Sequence, residues 1–204
     1  GLAQVNVVQS VIFAGMSGSA IADAAGTGRM MQAMMTKDGK YPPAFAAALT
    51  AASSVIGPII PPSIPMVLYA LVSDASIGFL FLGGVVPGIL LGLSQMGIIA
   101  TAARRRNFPV EAPAPLRSLP GITWRALPVI LMPVVLLGGI YGGATTPTEA
   151  AAVAAAYALA ISVILYRSVS FPDLYRSLAY SARTTATIGM LIAGALVFNY
   201  VVTI

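Results

Sequence analysis

The sequence predicts an all-α integral membrane protein: a transmembrane helix bundle with discontinuous helices and a candidate re-entrant hairpin. Three observations lead there. Of 204 residues only 8% are charged and 58% are hydrophobic, and the mean hydropathy is +0.90. Soluble domains carry about 25% charged residues, so this chain could hardly coat a soluble core. The apolar runs are long, rich in Ala, Leu, Ile and Val, and lack the alternation of a membrane β-barrel. Clusters of glycine, serine and proline interrupt two of these runs, where a plain span has no use for them.

The first run covers about 5–25. Within it, "FAGMSGSAIADAAG" places Gly15, Ser17, Gly18, Ser19 and Asp23 in an apolar setting. A Met-rich helix over about 28–37 leads into "KDGKYPP". The second run, about 43–73, would measure roughly 46 Å as one helix at about 1.5 Å per residue, against a hydrocarbon core of about 30 Å. Pro58, Pro61, Pro62 and Pro65 cannot all occupy a helix interior, because each removes a donor and clashes with the preceding turn. The helix must break near 57–65.

The third run is about 77–103, and residues 104–125 read as a basic, Pro-rich loop. The fourth run is about 126–144 and the fifth about 150–166. Between them, Thr146, Pro147 and Glu149 form a capping box with proline at the first helical position. Ser170 and Asp173 predict another capped start, for an amphipathic helix over 170–184 lying on the membrane surface. In the last run, 186–204, Gly194 and Asn199 allow a bend, so the run reads as a span or a re-entrant hairpin.

All eleven Lys and Arg fall into three groups: Arg29, Lys37 and Lys40; Arg104, Arg105, Arg106, Arg117 and Arg125; Arg167, Arg176 and Arg183. Two apolar runs separate each group from the next, so all three lie on one side, and the positive-inside rule makes that side cytoplasmic. The arrangement accounts for the net charge of +5 without nucleic acid. The chain has no Cys and no His, which removes disulfides, His-ligated transition metals and His-dependent triads.

Unwound backbone inside a bilayer is tolerated only where protein buries it or where it faces a wet cavity or an ion. Such breaks offer carbonyls and hydroxyls to Na⁺, and helix N-termini to anions. "GMSGSA" fits that pattern, and Asp23 adds an ionisable group near the end of a span. Close packing of small residues, with serines bonding back to their own helix, is the competing reading. Ser53, Ser54 and Ser63 flank the proline cluster, either as a second wall of a polar site or as partners for a kinked backbone. "GMSG" also matches the GxSG of rhomboid-type intramembrane proteases, but a serine nucleophile needs a base and no His is present.

"FAGMSGSAIADAAGTG", "GKYPPAFAAALTAASSVIGPIIPPSIPMVLYA" and "GGATTPTEAAAVAAAYAL" together resemble the large membrane subunit (DctM type) of tripartite ATP-independent periplasmic (TRAP) transporters. The resemblance covers nearly the whole chain, with the motifs in the family's order. It implies a transporter and not an enzyme: an elevator-type secondary carrier in the bacterial inner membrane, with Na⁺ as coupling ion and no organic cofactor. The implied cargo is an organic anion, such as a C4-dicarboxylate, another carboxylate or a sialic acid. The implied partners are a small membrane subunit (DctQ type) and a periplasmic binding protein (DctP type). Inverted repeats are also implied, with 1–103 in the first and 126–204 in the second.

Matched residue by residue, Ser17, Gly18 and Ser19 fall on the broken part of the first discontinuous helix and become the Na⁺-site candidates. Ser53, Ser54, Gly57 and Pro58 fall on the Ser/Pro segment near the substrate path. Asp23, Ser63, Gly194 and Asn199 are secondary candidates, and 188–199 resembles the tip of the second hairpin. On this mapping the first hairpin precedes residue 1 and the second discontinuous helix follows residue 204. The chain then reads as an internal piece holding one wall of each Na⁺ site. No Lys or Arg lies within a predicted span, so anion recognition falls to backbone dipoles, hydroxyls and bound Na⁺. The other readings are an ion-coupled carboxylate transporter that needs no binding protein, and a channel or scaffold subunit.

Overall fold

A computed structural model describes residues 1–106, 108 and 119–203. Its helices are α1 (Leu2–Ser17), α2 (Ala20–Ala25), α3 (Thr27–Thr36), α4 (Pro43–Ser54), α5 (Ile64–Ser73), α6 (Ile77–Arg106), α7 (Leu119–Tyr141), α8 (Pro147–Ala160) and α9 (Phe171–Thr203). A 3₁₀ turn follows α3 at Lys37–Gly39, and a π-helical turn, Ile161–Leu165, extends α8. The chain divides into two compact units, Gly1–Ala154 and Ala155–Ile204. Among the described residues, four helices are long and apolar enough to cross a membrane: Ile77–Arg105, Pro120–Tyr141, Pro147–Leu165 and Phe171–Val202.

Both predicted helix breaks are present. α1 stops at Gly18, whose left-handed backbone (φ 59°, ψ 16°) sends its N–H back to the Ala14 carbonyl at 3.3 Å. Ser19 restarts the helix as an N-cap, its Oγ accepting the Ala22 N–H at 3.3 Å. α4 begins with Pro43 at its N-terminus and ends at Ser54. That end lies four residues before Pro58, whose ring would clash with the Ser54 carbonyl if the helix continued. The irregular stretch is therefore 55–63, two residues earlier than the sequence suggested. It closes with Ser63 capping α5, Oγ accepting the Met66 N–H at 3.3 Å.

In the first unit, the core joins Val7 and Ala14 of α1, Met31 and Met35 of α3, Ala46 and Leu49 of α4, Ile56 of the break and Ile99 of α6. α6 supports this core through a glycine face. A Cβ on Gly84 would lie 2.3 Å from the Ile59 carbonyl oxygen, one on Gly88 2.3 Å from Ile60 Cγ1, and one on Gly92 3.2 Å from Val11 Cγ2. Two glutamines add hydrogen bonds across helices. Gln4 Nε2 donates to the Met96 carbonyl and Gln95 Nε2 to the Ala52 carbonyl, both at 2.9 Å. α6 is thereby tied to α1, to α4 and to the proline break.

The two capping boxes appear as expected. Thr146 N–H donates to Glu149 Oε2 at 2.8 Å, and Glu149 N–H to Thr146 Oγ1 at 3.4 Å. Ser170 N–H donates to Asp173 Oδ2 at 3.3 Å, and Asp173 N–H to Ser170 Oγ at 3.4 Å.

Two expectations need correction. The surface helix over 170–184 and the last apolar run are one continuous helix, α9, of 33 residues. It passes through Gly194 and Asn199 without the bend assigned to 188–199. A lone glycine costs a helix only about 1 kcal/mol, and no proline follows Pro172 to force a break. The basic loop is also shorter than 104–125, because α6 runs through Arg106 and α7 starts at Leu119. Residue 107 and residues 109–118 of that loop, Arg117 included, lie outside the described residues.

The α6 contacts predict a graded response to added methyl groups. Gly84→Ala meets a backbone carbonyl, Gly88→Ala meets a side chain that can turn, and Gly83→Ala meets nothing within 4 Å. Thermal stability of the full-length protein in detergent should be lowest for Gly84→Ala, which loses about 1–3 kcal/mol as overpacking does, and highest for Gly83→Ala, which gains up to about 1 kcal/mol of helix preference.

Candidate functional site: two helix breaks in contact

The break after α1 packs on the break after α4. The Ile64 N–H donates to the Gly18 carbonyl at 3.3 Å. A Cβ on Gly18 would lie 2.4 Å from the Pro62 carbonyl oxygen, and one on Gly57 would lie 3.2 Å from the Ser19 carbonyl carbon. Both glycines therefore serve close backbone approach. One turn earlier, Gly15 faces the Pro133 ring of α7 at 3.2 Å and the Pro61 oxygen at 4.0 Å from its virtual Cβ.

The prolines decide which carbonyls are left over. Pro58, Pro61, Pro62 and Pro65 have no N–H, so the carbonyls of Ser54, Gly57, Pro58 and Pro61 lose their helical donors. Ser54 recovers one from the Gly57 N–H at 3.0 Å, and Pro58 recovers one from the Ser63 hydroxyl. Gly57 and Pro61 keep carbonyls with no helical donor. Gly57 abuts Ser19, and the Pro61 oxygen faces Gly15. Ser17 Oγ accepts the Ser19 N–H at a long 3.5 Å.

Ser53 and Ser54 sit one turn back, fully buried in a polar cluster between α1 and α4. Asn6 Nδ2 donates to Thr50 Oγ1 at 2.9 Å and to Met35 Sδ at 3.6 Å. Ser10 Oγ donates to Ser53 Oγ at 3.0 Å. The Ser53 hydroxyl has two acceptors in reach, Asn6 Oδ1 at 3.4 Å and the Thr50 carbonyl at 3.1 Å. Ser54 Oγ bonds back to the Thr50 carbonyl at 2.6 Å. Asp23, in α2, is 1% exposed. Its Oδ1 accepts the Thr27 hydroxyl at 2.8 Å, while Oδ2 is buried without a partner.

Of the sequence-derived candidates, Ser17, Gly18, Ser19, Gly57, Pro58 and Ser63 gather at the paired breaks. Ser53 and Ser54 lie behind them, and Asp23 lies four residues beyond Ser19. Gly194 and Asn199 belong to α9, in the second unit. The sequence reading passed over Asn6, Ser10 and Thr50. A signal was present: Asn6 and Ser10 are spaced i, i+4, and Thr50, Ser53 and Ser54 are spaced i, i+3, i+4. Each set is a polar stripe on one face of an otherwise apolar helix.

Gly18→Ala should be much more harmful than Gly39→Ala. Both residues have positive φ, so each alanine takes on a left-handed penalty of about 1–2 kcal/mol. Only Gly18 also faces a backbone oxygen at 2.4 Å, whereas Gly39 has open space around it. Thermal unfolding of the two variants separates the clash from the conformational penalty, and equal melting temperatures would contradict the packing described.

The family model for the tripartite ATP-independent periplasmic transporter, DctM component, matches residues 1–204. The chain is 40% identical over 201 residues to the sialic acid TRAP transporter large permease protein SiaM of Vibrio cholerae, covering 98% of this chain and 47% of that protein. It is 41% identical over 203 residues to the C4-dicarboxylate TRAP transporter large permease protein DctM of Pseudomonas aeruginosa, covering 100% and 47%. It is 37% identical over 204 residues to the 2,3-diketo-L-gulonate TRAP transporter large permease protein YiaN of Escherichia coli, covering 100% and 48%. The chain thus spans about half the length of these relatives, all of them named as permeases and none as an enzyme. Its apolar helices and this full-length match agree: the chain is a membrane protein and belongs to the DctM component family of the tripartite ATP-independent periplasmic transporters.

Proposed function

We propose that the protein takes part in Na⁺-coupled uptake of an organic anion across the bacterial inner membrane, and that a coupling-ion site lies between its two helix breaks. The observation that carries this reading is the contact of two unwound segments, with the Gly57 and Pro61 carbonyls lacking helical donors. Na⁺ entering a membrane interior must replace its water with other oxygens, and unwound carbonyls and hydroxyls supply them. The Ser17 and Ser19 hydroxyls and the Pro62 carbonyl stand at the same contact. Asp23, with one carboxyl oxygen unpartnered, is a further candidate to support the cation.

Cation binding would lock the contact that Gly18–Ser19 and 55–63 already make and fix the N-terminus of α5. Its Ile64 and Met66 N–H groups are already taken and Pro65 has none, so a carboxylate would be drawn by the bound cation and the helix field and not by free N–H donors. Coupling then runs both ways, because a cation that strengthens anion binding is itself held tighter by the anion. The anion would be an organic anion, a carboxylate in the three relatives named above. A periplasmic binding protein would deliver it, and a small membrane subunit would hold the scaffold against which the transport domain slides. Ser53 and Ser54 would shape the substrate path from behind the second break.

The test is uptake by the full-length protein, with its small subunit and binding protein, in vesicles under an imposed Na⁺ gradient. Ser17→Ala should raise the half-saturating Na⁺ concentration about tenfold, the equivalent of one lost contact of about 1.4 kcal/mol. Uptake that runs equally well with K⁺ in place of Na⁺, or a Na⁺ dependence unchanged in both Ser17→Ala and Gly57→Ala, would refute the assignment.

A further inference from the structure

Behind the second break, the buried polar cluster is more elaborate than helix packing requires. Asn6 is fully buried, and an amide placed among apolar side chains is costly unless its bonds are made. A leucine of similar size would fill the space without that risk. What the amide adds is register, since it holds one rotation and one height of α4 against α1.

We propose that Asn6, with Ser10 and Thr50, is a positioning residue for the coupling-ion site, setting where the second break starts; this rests on the cation reading above. The connection is continuous. Asn6 and Ser10 hold Thr50 and Ser53 by hydrogen bonds of 2.9 and 3.0 Å. The carbonyls of Ser53 and Ser54 receive the N–H groups of Ile56 and Gly57, both at 3.0 Å, so the turn into the break hangs from these two residues. Gly57 then lies against Ser19, with a virtual Cβ 3.2 Å from the Ser19 carbonyl carbon. Asn6 thus acts on the break through α4, without touching it.

The hold on α4 does not depend on the Ser53 proton. When that hydroxyl turns to the Thr50 carbonyl, Asn6 still donates to Thr50 and Ser10 still donates to Ser53. Thr50 is also gripped from the other side. A Cβ on Gly28 of α3 would lie 2.5 Å from Thr50 Cγ2 and 3.0 Å from the Asp23 carbonyl oxygen. A slip of α4 by one residue would turn its side chains by about 100°. It would take Ser53 away from Asn6 and swing Gly57 off Ser19, parting the two walls.

Two matched substitutions separate positioning from bulk packing. Thr50→Val keeps the shape and removes the hydroxyl, whereas Thr50→Ser keeps the hydroxyl. Asn6→Leu removes the amide, and Ser10→Ala serves in its place if Asn6→Leu does not fold. In the vesicle assay, Thr50→Val and Asn6→Leu should raise the half-saturating Na⁺ concentration at least about threefold, the scale of one net hydrogen bond. The maximal rate at saturating Na⁺ should stay near the parent's, and Thr50→Ser should behave like the parent. Hydrogen exchange of the purified full-length protein in Na⁺-free buffer should quicken over 55–63 in both variants, with α6 unchanged. Unshifted Na⁺ dependence in variants of a parent that responds to Na⁺ would overturn the positioning role alone. So would exchange that quickens equally in every helix. A parent with no Na⁺ response would overturn the cation reading and this inference together.

Discussion

The structure depends on a rule of the bilayer: a backbone group without water must find its partner in protein. An intact helix obeys it internally. This chain interrupts two helices and meets the rule only in part where the interruptions touch, leaving the Gly57 and Pro61 carbonyls without helical donors. The Ile64 N–H, freed at the start of α5, finds the Gly18 carbonyl at the end of α1. Ser19 and Ser63 then cap the helices that restart, each accepting an N–H three residues on. The contact of the two breaks ties the end of α1 to the start of α5.

Close backbone approach has its own requirement, and glycine meets it from several sides. Gly18 and Gly57 admit each other's segments, Gly15 admits Pro133, and Gly84 admits the Ile59 carbonyl from α6. These contacts involve backbone and ring atoms that cannot rotate aside. The arrangement is therefore stiff where side-chain packing would yield. The hydrogen bonds from Asn6, Ser10 and Gln95 add register to that stiffness, because each works at only one height along its helix. Stiffness suits a site whose ligands would be carbonyl oxygens, since these have no rotamers with which to adjust.

Much of this was legible in the sequence. Glycine and proline announce breaks through conformation and missing donors, so Gly18 and Pro58 located both interruptions to within about two residues. The capping boxes at Thr146 and Ser170 were legible for the same reason: they are local chemistry at fixed spacing. The contact between the breaks was not legible, because it joins residues some forty positions apart. Within the chain, the neighbour that packs on the first break is 55–63. Asn6 and Thr50 were missed because each looks like an incidental polar residue until α1 and α4 are placed side by side. Gly194 left span and hairpin both open because a lone glycine weakens a helix without ending it, and α9 runs through it intact.

A site built from backbone has a consequence for how substrate choice is distributed. Three relatives named for a sialic acid, a C4-dicarboxylate and a diketo sugar acid are 40%, 41% and 37% identical to this chain. Overall likeness is nearly equal to permeases named for different cargo, so it does not point to any one of them. Carbonyls at Gly57 and Pro61 and the left-handed turn at Gly18 read no cargo side group. On the proposed reading they would offer oxygen and conformation, which could serve any anion whose uptake is tied to a cation. On that reading, shape and hydroxyl pattern of the cargo would be read by groups that project side chains, elsewhere in the permease or in a delivering protein. On the proposed reading, the two breaks would respond to the cation and to the charge of the anion, and not to the rest of the load.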